Sequence, residues 1–204
     1  MAGMIQDPVV LQTARIRLEP LEHRHIPDLV RHCNDEALWE FTFGDNPFTN
    51  DADTQAWLSE ALNRNAFYTF AIVDKISGNT IGSTRFGDIH LEYKKLEIGW
   101  TFVAQTHWRT HVNSECKYLL LRYAFEQLGL NRVQLKANGK NMRSRNAIAA
   151  FGATYEGTHR AVRIHPGTRE VQGISYYSVI HEEWPAVRSL LEARIRDNPL
   201  PGSR

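Results

Sequence analysis

The chain has 204 residues, of which 42% are hydrophobic and 23% charged, as in an ordinary soluble globular protein. Its 24 basic and 23 acidic residues nearly cancel, which disfavours a protein that binds nucleic acid by neutralising phosphates. Two cysteines are too few for a disulfide scaffold, and no apolar run is long enough to cross a membrane. Because residues 1–8 show no signal peptide, the sequence predicts a soluble cytoplasmic protein that does not act on nucleic acid or membranes.

Hydrophobic periodicity predicts one mixed α/β domain over residues 14–196, preceded by an extension at residues 1–13 and followed by a disordered tail at residues 197–204. The strands are predicted at Ile16–Glu19, Tyr68–Asp74, Thr80–Phe86, Leu96–Val103, Arg132–Lys136, Thr154–Thr158 and Ile174–His181. The helices are predicted at His23–Asn34, Ala52–Asn63, Asn113–Leu128, Met142–Phe151 and Trp184–Arg196.

The strand that ends at Val103 leads through a turn into the longest helix. The first backbone N–H groups of a helix have no partner within it, and the helix dipole adds positive potential there. The start of this helix therefore predicts an anion site that would fit a pyrophosphate. Ser114 adds a hydroxyl to this site, and His107 and Arg109 supply further donors.

Several segments around this turn resemble the central motif of the GNAT acetyltransferases, in particular the branch similar to ribosomal-protein N-acetyltransferases. They are Glu97–Phe102, Trp108–Glu115, Tyr123–Val133, Asn141–Asn146 with its Asn-x-x-Ser helix start, and Phe151–Ala153 with its terminal glycine. The similarity in element order extends over residues 14–182, and it is specific over residues 96–157.

The resemblance implies the acyl-CoA N-acyltransferase fold: a mostly antiparallel sheet, split into a V that holds the pantetheine arm, with helices on both faces. It implies acetyl-CoA as co-substrate and an amine as acceptor. Main-chain groups would hold the coenzyme, with Asn141 beside the pantetheine and Ser144 near the thiolate. The residues implied to bind the coenzyme are Phe102, Val103, Trp108, Arg109, Thr110, His111, Val112, Asn113, Ser114 and Asn141.

The chain departs from the family pattern at three positions. His111 and Asn113 replace two small residues at the phosphate turn, where glycine lets backbone approach the phosphates. The departure leaves open either retained binding, with Asn113 capping the helix, or weakened binding of the coenzyme. Ile148 stands where many members have a proton-donating tyrosine, so Ser144 is the candidate substitute.

Acetyl transfer needs a neutral amine, a polarised carbonyl and a proton for the leaving thiolate. Glu97 is the candidate that accepts the amine proton, through water, and the alternative is a structural carboxylate between paired strands. Ser144 is the candidate proton donor, and the alternative is a hydroxyl that caps the following helix. The nine histidines show no zinc-site spacing, so no metal is predicted.

The acceptor site is predicted between the first helical loop and the last strand loop. The first loop contributes Trp39, Phe41, Phe43 and Asp45 as candidate substrate-binding residues. Aromatic rings with a carboxylate suit an amine, although such a loop can also be anchored to the core by its own rings. The second, His159–Arg169, is basic and suits an acidic substrate or a solvated surface.

Three functions compete at this level. The first is an N-acetyltransferase for protein N-termini or small amines, with transfer of a different acyl group as a variant. The second is a non-catalytic acyl-CoA sensor or interaction module, and the third is a scaffold that has lost the coenzyme. For the C-terminal helix, Trp184 packs within its own chain or forms the surface of a homodimer.

Overall fold

The computed structural model describes residue 5 and residues 8–42, 44–165 and 167–197, and its helices pack on one sheet. The strands are β1 (Leu11–Gln12), β2 (Ile16–Pro20), β3 (Tyr68–Asp74), β4 (Thr80–His90), β5 (Lys95–Val103), β6 (Arg132–Asn138), β7 (Thr154–Ile164) and β8 (Val171–Ile180). The α-helices are α1 (Ile26–His32), α2 (Glu36–Trp39), α3 (Asp51–Ala61), α4 (Val112–Arg122), α5 (Met142–Ala149) and α6 (Trp184–Arg196). None of these helices is long and apolar enough to span a bilayer.

The sheet has the strand order β1-β2-β3-β4-β5-β6-β8-β7. All neighbours pair antiparallel except β5 and β6, which run parallel and pair only from Lys95–Arg132 to Glu97–Gln134. Beyond these pairs β5 continues to Val103 and β6 to Asn138 without pairing to each other, so the sheet opens into a V. The predicted mixed α/β fold with a mostly antiparallel sheet is confirmed.

Helices cover both faces of the sheet, as two consecutive residues of β4 illustrate. Phe86 points to one side, which we call the α4 face, and its ring stacks on Tyr123 at 6.1 Å. Arg85 points to the opposite side, the α3 face, where its guanidinium lies 2.8 Å from the Glu60 carboxylate of α3. Because strand residues alternate between faces, the register of β4 assigns the residues of β5 to one face or the other.

The C-terminal helix packs on the α4 face. Trp184 is buried, its ring stacks on Phe125 at 5.6 Å, and its Nε1 donates to Glu126 at 2.9 Å. Of the two alternatives for Trp184, the structure therefore shows packing within its own chain.

Two helical segments differ from the prediction. The aromatic and acidic segment after α1 contains a short helix, α2, whose start is capped by Asp35 through a 2.9 Å bond from Ala37 N. The long central helix begins at Val112 and ends in a π-helical turn at Tyr123–Gln127. Hydrophobic spacing over such short stretches does not separate one helical geometry from another.

The strands near the chain ends are longer than predicted. β7 extends to Ile164, into the segment His159–Arg169 predicted as a basic loop, and β8 begins at Val171, three residues before its predicted start. Most of β7 is exposed on both faces, so its residues show no alternation that would indicate a strand. At the other end, β1 lies within the predicted extension and pairs with β2.

A buried ion pair ties α4 to the start of the sheet. The guanidinium of Arg15 bonds to the carboxylate of Glu115, and the side chains of the pair are 5% and 1% exposed. Thr13 donates a further hydrogen bond to the same carboxylate. A buried pair that is well hydrogen-bonded is tolerated, whereas losing one partner leaves an uncompensated charge in the core.

Glu115→Ala is expected to lower the free energy of unfolding by about 3–5 kcal/mol, because it leaves the Arg15 guanidinium without its carboxylate. Urea denaturation followed by circular dichroism measures this difference. The control is Glu192→Ala, which breaks an exposed pair with Arg188 and should change the free energy by less than about 1 kcal/mol. Equal effects of the two substitutions would contradict the importance of the buried pair.

Candidate functional site

Residues 104–111 join β5 to α4 and bring free backbone donors together at the start of the helix. The first helical bond runs from Glu115 N to His111 O at 2.9 Å, so the N–H groups before it have no helical partner. Within the described ranges, five backbone N–H groups of this turn find no acceptor, those of Arg109, Thr110, His111, Asn113 and Ser114. We call these five N–H groups the donor cradle. Backbone N–H groups clustered at a helix start can bind an anion.

The two departures from the family pattern do not distort this turn. His111 occupies the N-cap position at φ −64° and ψ −24°, and Asn113 is the second residue of α4, so both have ordinary helical backbone. The expectation that Asn113 caps the helix is therefore wrong, and no side chain caps it. In this turn the left-handed conformation falls on Arg109 at φ 60°, where glycine would be less strained.

The imidazole of His111 is surrounded by ionisable groups. They belong to Arg15, Glu115, Asp74 and His107; Asp74 is the last residue of β3, and Arg15 lies immediately before β2. Burial and the positive charge of Arg15 lower the pKa of His111, so the ring is neutral at pH 7. Its Nε2 is buried and has no partner among the described residues. His111 thus offers its backbone N–H to an anion, not a cationic side chain.

A bulge in β5 frees part of the strand beside the V. Ser83 pairs with Phe102 and Arg85 with Gly99, so β5 holds one more residue than β4 between these pairs. The extra residue is Trp100, which has a φ of 51°. The edge of β5 that follows, including the backbone of Phe102 and Val103, has no strand partner on the β6 side. An extended amide chain could pair with this edge as an added strand.

Trp108 links the two sides of the V near its open end. Its indole Nε1 donates to the carbonyl oxygen of Val103 at 2.8 Å. The guanidinium carbon of Arg143, on α5, lies 3.6 Å from the centroid of a Trp108 ring, within the range of a cation–π contact. The indole is therefore held between the end of β5 and the start of α5, next to the donor cradle.

Asn141 and Ser144 lie at the start of α5. The side-chain oxygen of Asn141 caps the helix by accepting from Ser144 N at 2.9 Å. The alternative that Ser144 is the capping hydroxyl is therefore wrong, and its Oγ has no partner within the described part of the chain. Ile148, which the sequence comparison with the family pattern placed at a frequent tyrosine position, is buried in the core.

Glu97 lies at the apex of the V, on the α3 face. Its carboxylate is 2.6 Å from the ammonium of Lys136 and accepts a 3.1 Å bond from the amide of Gln134. The side chain is 5% exposed, and both partners lie on β6. This is the paired-strand arrangement that the sequence left as the alternative, and it also fixes a carboxyl group three residues before the bulge.

The predicted acceptor residues divide between core and surface. Trp39 is buried, and its Nε1 donates to Cys33 O at 2.9 Å. The centroid of its ring lies 4.9 Å from that of Phe102, so this part of the loop is anchored to the core. Phe41 is half-buried and Asp45 exposed, whereas the predicted Phe43 lies outside the described residues.

The two loops predicted to form the acceptor site meet. A Cβ on Gly167, in the turn between β7 and β8, would lie 2.9 Å from the carboxylate of Asp45. In the described residues no group of three His, Cys, Asp or Glu side chains could hold a metal ion.

Sequence reasoning missed three cationic residues that the fold brings to this region: Arg143 on Trp108, Lys136 on Glu97, and Lys117 behind the bulge of β5. Their contacts join elements distant along the chain, and no local spacing indicates them. Only for Lys136 did the sequence hold a signal. Gln134 and Lys136 are two residues apart in a predicted strand, so their side chains lie on the same face of the sheet.

Comparison with known proteins agrees with this geometry. The family model for the acetyltransferase (GNAT) domain matches residues 15–154, more than half of the chain. FsC-acetyl coenzyme A-N(2)-transacetylase of Aspergillus fumigatus is 29% identical over 184 residues, which cover 85% of this chain and 77% of that protein. YdaF of Bacillus subtilis, a candidate ribosomal N-acetyltransferase, is 27% identical over 173 residues, which cover 82% of this chain and 90% of that protein.

A solved structure extends the similarity to three dimensions. The crystal structure of a candidate acetyltransferase from T. thermophilus superposes with a TM-score of 0.85 at 35% identity, covering 94% of this chain and all of that one. With the family match over most of its length and the split sheet in place, the chain belongs to the GNAT acetyltransferases, acyltransferases that use acetyl-CoA as co-substrate.

Proposed function

We propose that this enzyme transfers the acetyl group of acetyl-CoA directly to a primary amine, on a protein N-terminus or a small molecule. One observation carries the proposal: the donor cradle of five unpartnered N–H groups lies at the end of a strand whose edge is also unpaired. A diphosphate bound to the cradle would leave its attached amide chain beside the open edge of β5. Acetyl-CoA has both groups in this order.

The proposal assigns binding of the coenzyme mainly to backbone. The five N–H groups accept the diphosphate without a cationic side chain, as helix starts do elsewhere. The main chain of Phe102 and Val103 faces the pantetheine amides, although the Val103 oxygen already accepts from the Trp108 indole. Asn141 contributes the side-chain amide nitrogen that helix capping leaves free. His111 and Asn113, with their helical backbone, leave the cradle open, so the departures that favoured a non-catalytic sensor do not obstruct binding.

In the proposed reaction the neutral amine attacks the thioester carbonyl carbon. The carbonyl oxygen becomes negatively charged and is stabilised by N–H groups of the bulged part of β5 near Phe102. The carbon–sulfur bond then breaks, the amine nitrogen loses its proton, and the coenzyme leaves as a thiolate that takes up a proton. No acyl-enzyme forms, because acceptor and thioester meet at the same point.

Two side chains carry the protons in this scheme. Glu97 accepts the amine proton through water, since its carboxyl group is held beside Lys136 and lies three residues before the bulge. Ser144 donates to the thiolate, directly or through water, because its hydroxyl has no competing partner among the described residues.

The acceptor approaches over the α3 face in this proposal. The Glu97 side chain lies on that face, while α4 and α6 cover the α4 face. The contact between Asp45 and Gly167 brings the first helical loop and the β7–β8 turn to the same region. A carboxylate at this point favours a cationic acceptor, which loses its extra proton before attack.

Release of free coenzyme A thiol tests the function directly. The protein is incubated with acetyl-CoA and a panel of peptides with free N-termini, polyamines, amino acids and arylamines. Thiol release that requires an amine, with the acetylated amine identified by mass spectrometry, is the expected result. Thiol release without an amine would indicate hydrolysis, and coenzyme binding without turnover on any acceptor would overturn the proposal.

Asn113→Pro is expected to weaken coenzyme A binding roughly tenfold or more, because it deletes one N–H group of the donor cradle. Proline is tolerated in the first helical turn, and Pro27 and Pro185 occupy the same second position in α1 and α6. Isothermal titration calorimetry with coenzyme A measures the loss.

The matched control is Asn113→Ala, which removes the side chain and keeps the N–H, and it should bind coenzyme A within about threefold of the wild type. If the proline and alanine variants bind equally well, the diphosphate does not contact this part of α4.

Glu97→Gln is expected to lower kcat about 100-fold with little change in the affinity for coenzyme A, since general-base contributions are typically of this size. Steady-state kinetics with the best acceptor of the panel provides the measurement. Glu156→Gln, on β7, alters another carboxylate paired with a β6 cation, Arg132, and should stay within threefold. A kcat of Glu97→Gln close to that of the wild type would assign Glu97 to strand pairing alone.

A further inference from the structure

Lys117 is a buried cation in the middle of α4. Its side chain faces the sheet and is 5% exposed. Its ammonium donates one hydrogen bond, to Thr101 Oγ1 at 2.9 Å. Among the described residues, no carboxylate lies within 4 Å of it. Buried lysines are normally paired with an acid, so an unpaired one in the interior requires a reason.

Lys117 is the main charge in its neighbourhood. On its own helix, the carboxylate of Glu115, two residues before Lys117, is bound by Arg15, and burial raises the pKa of the Cys116 thiol to about 12, so that thiol is neutral. From the sheet, β4 and β5 present the hydroxyls of Thr84 and Thr101. Burial lowers the pKa of Lys117 to about 8, so the ammonium is still largely protonated at pH 7.

Thr101 connects this charge to the bulge of β5. Its hydroxyl lies 2.8 Å from Thr84 Oγ1 and 3.3 Å from the carbonyl oxygen of Gly99. Because the ammonium donates to Thr101 Oγ1, the hydroxyl proton is left to bond to one of these two oxygens. Gly99 and Thr101 are the chain neighbours of Trp100, the residue that makes the bulge. Lys117 is therefore linked to the bulge through Thr101.

We propose that Lys117 is a positioning residue for acetyl transfer, acting through Thr101 to fix the bulged peptide groups that receive the thioester oxygen. The inference rests on the proposed function, which directs N–H groups of this part of β5 at that oxygen. The lysine lies on the α4 face and the acceptor approaches from the α3 face, so the charge supports the bulge from behind. A fixed cation in a part of the protein that excludes water also stabilises the negative charge that develops on the thioester oxygen as the amine attacks.

Lys117→Met keeps the volume of the side chain and removes its charge. It is expected to lower kcat 10- to 100-fold, while the KM for acetyl-CoA and the Kd for coenzyme A stay within threefold. Thr101→Val keeps the lysine and removes the hydroxyl that connects it to the bulge, and it should lose kcat to a similar extent. Thermal denaturation of each variant, with and without coenzyme A, accompanies the kinetics.

The pH profile separates a positioning role from a structural one. If the charge is required, the kcat of the wild type falls as pH rises through about 8, because the ammonium is lost there. Lys117→Met should lack this fall, and Lys117→Arg should retain its activity to higher pH, since guanidinium stays charged.

The outcomes also separate this inference from the function on which it rests. If the wild type is active and Lys117→Met is equally active, the role of Lys117 is overturned and acetyl transfer still stands. The same holds if the two proteins have the same pH profile. Wild type that transfers no acetyl group to any amine overturns both. The role is supported if Lys117→Met and Thr101→Val both lower kcat and if Lys117→Met no longer shows the fall of kcat at alkaline pH.

Discussion

The brief parallel pairing of β5 with β6 is the constraint on which the rest of the molecule depends. Parallel neighbours cannot be joined by a tight turn and need a crossover, usually a helix. Here the crossover is α4, so its first turn must lie at the carboxyl end of β5. The same two strands separate after Glu97 and Gln134. One topological feature thus produces both the donor cradle and the gap beside it.

Burial of charge holds this arrangement in place. Glu115 and Lys117 lie two residues apart on α4, and both are buried. The acid is tied to Arg15 on the approach to β2 and the cation to Thr101 on β5, so the helix is fixed against two strands at opposite sides of β3 and β4. A helix fixed in this way presents its free N–H groups at a defined position, which an anion site made of backbone requires.

Local sequence information was enough for most of the elements and for the turn that carries the cradle, but not for α2, β1 or the π-helical turn. The strand predicted at Tyr68–Asp74 and the helical spacing in α4 survive in the structure, because burial against the core decides each of them. Backbone conformation was not predictable in the same way: the family pattern pointed to His111 and Asn113, whereas the left-handed residue is Arg109. Contacts such as Arg143 on Trp108 depend on how distant segments meet, and no spacing along the chain encodes them.

The matched domain ends at residue 154, where β7 begins. The cradle, the bulge and Glu97 therefore belong to one continuous stretch, and the β7–β8 hairpin that reaches Asp45 belongs to the next. The exposed strand β7 can vary in sequence more freely than β8, which pairs with β6 along most of its length. Under the proposed function, sequence drift in this outer strand would alter the choice of acceptor while the turn that binds the coenzyme is inherited unchanged.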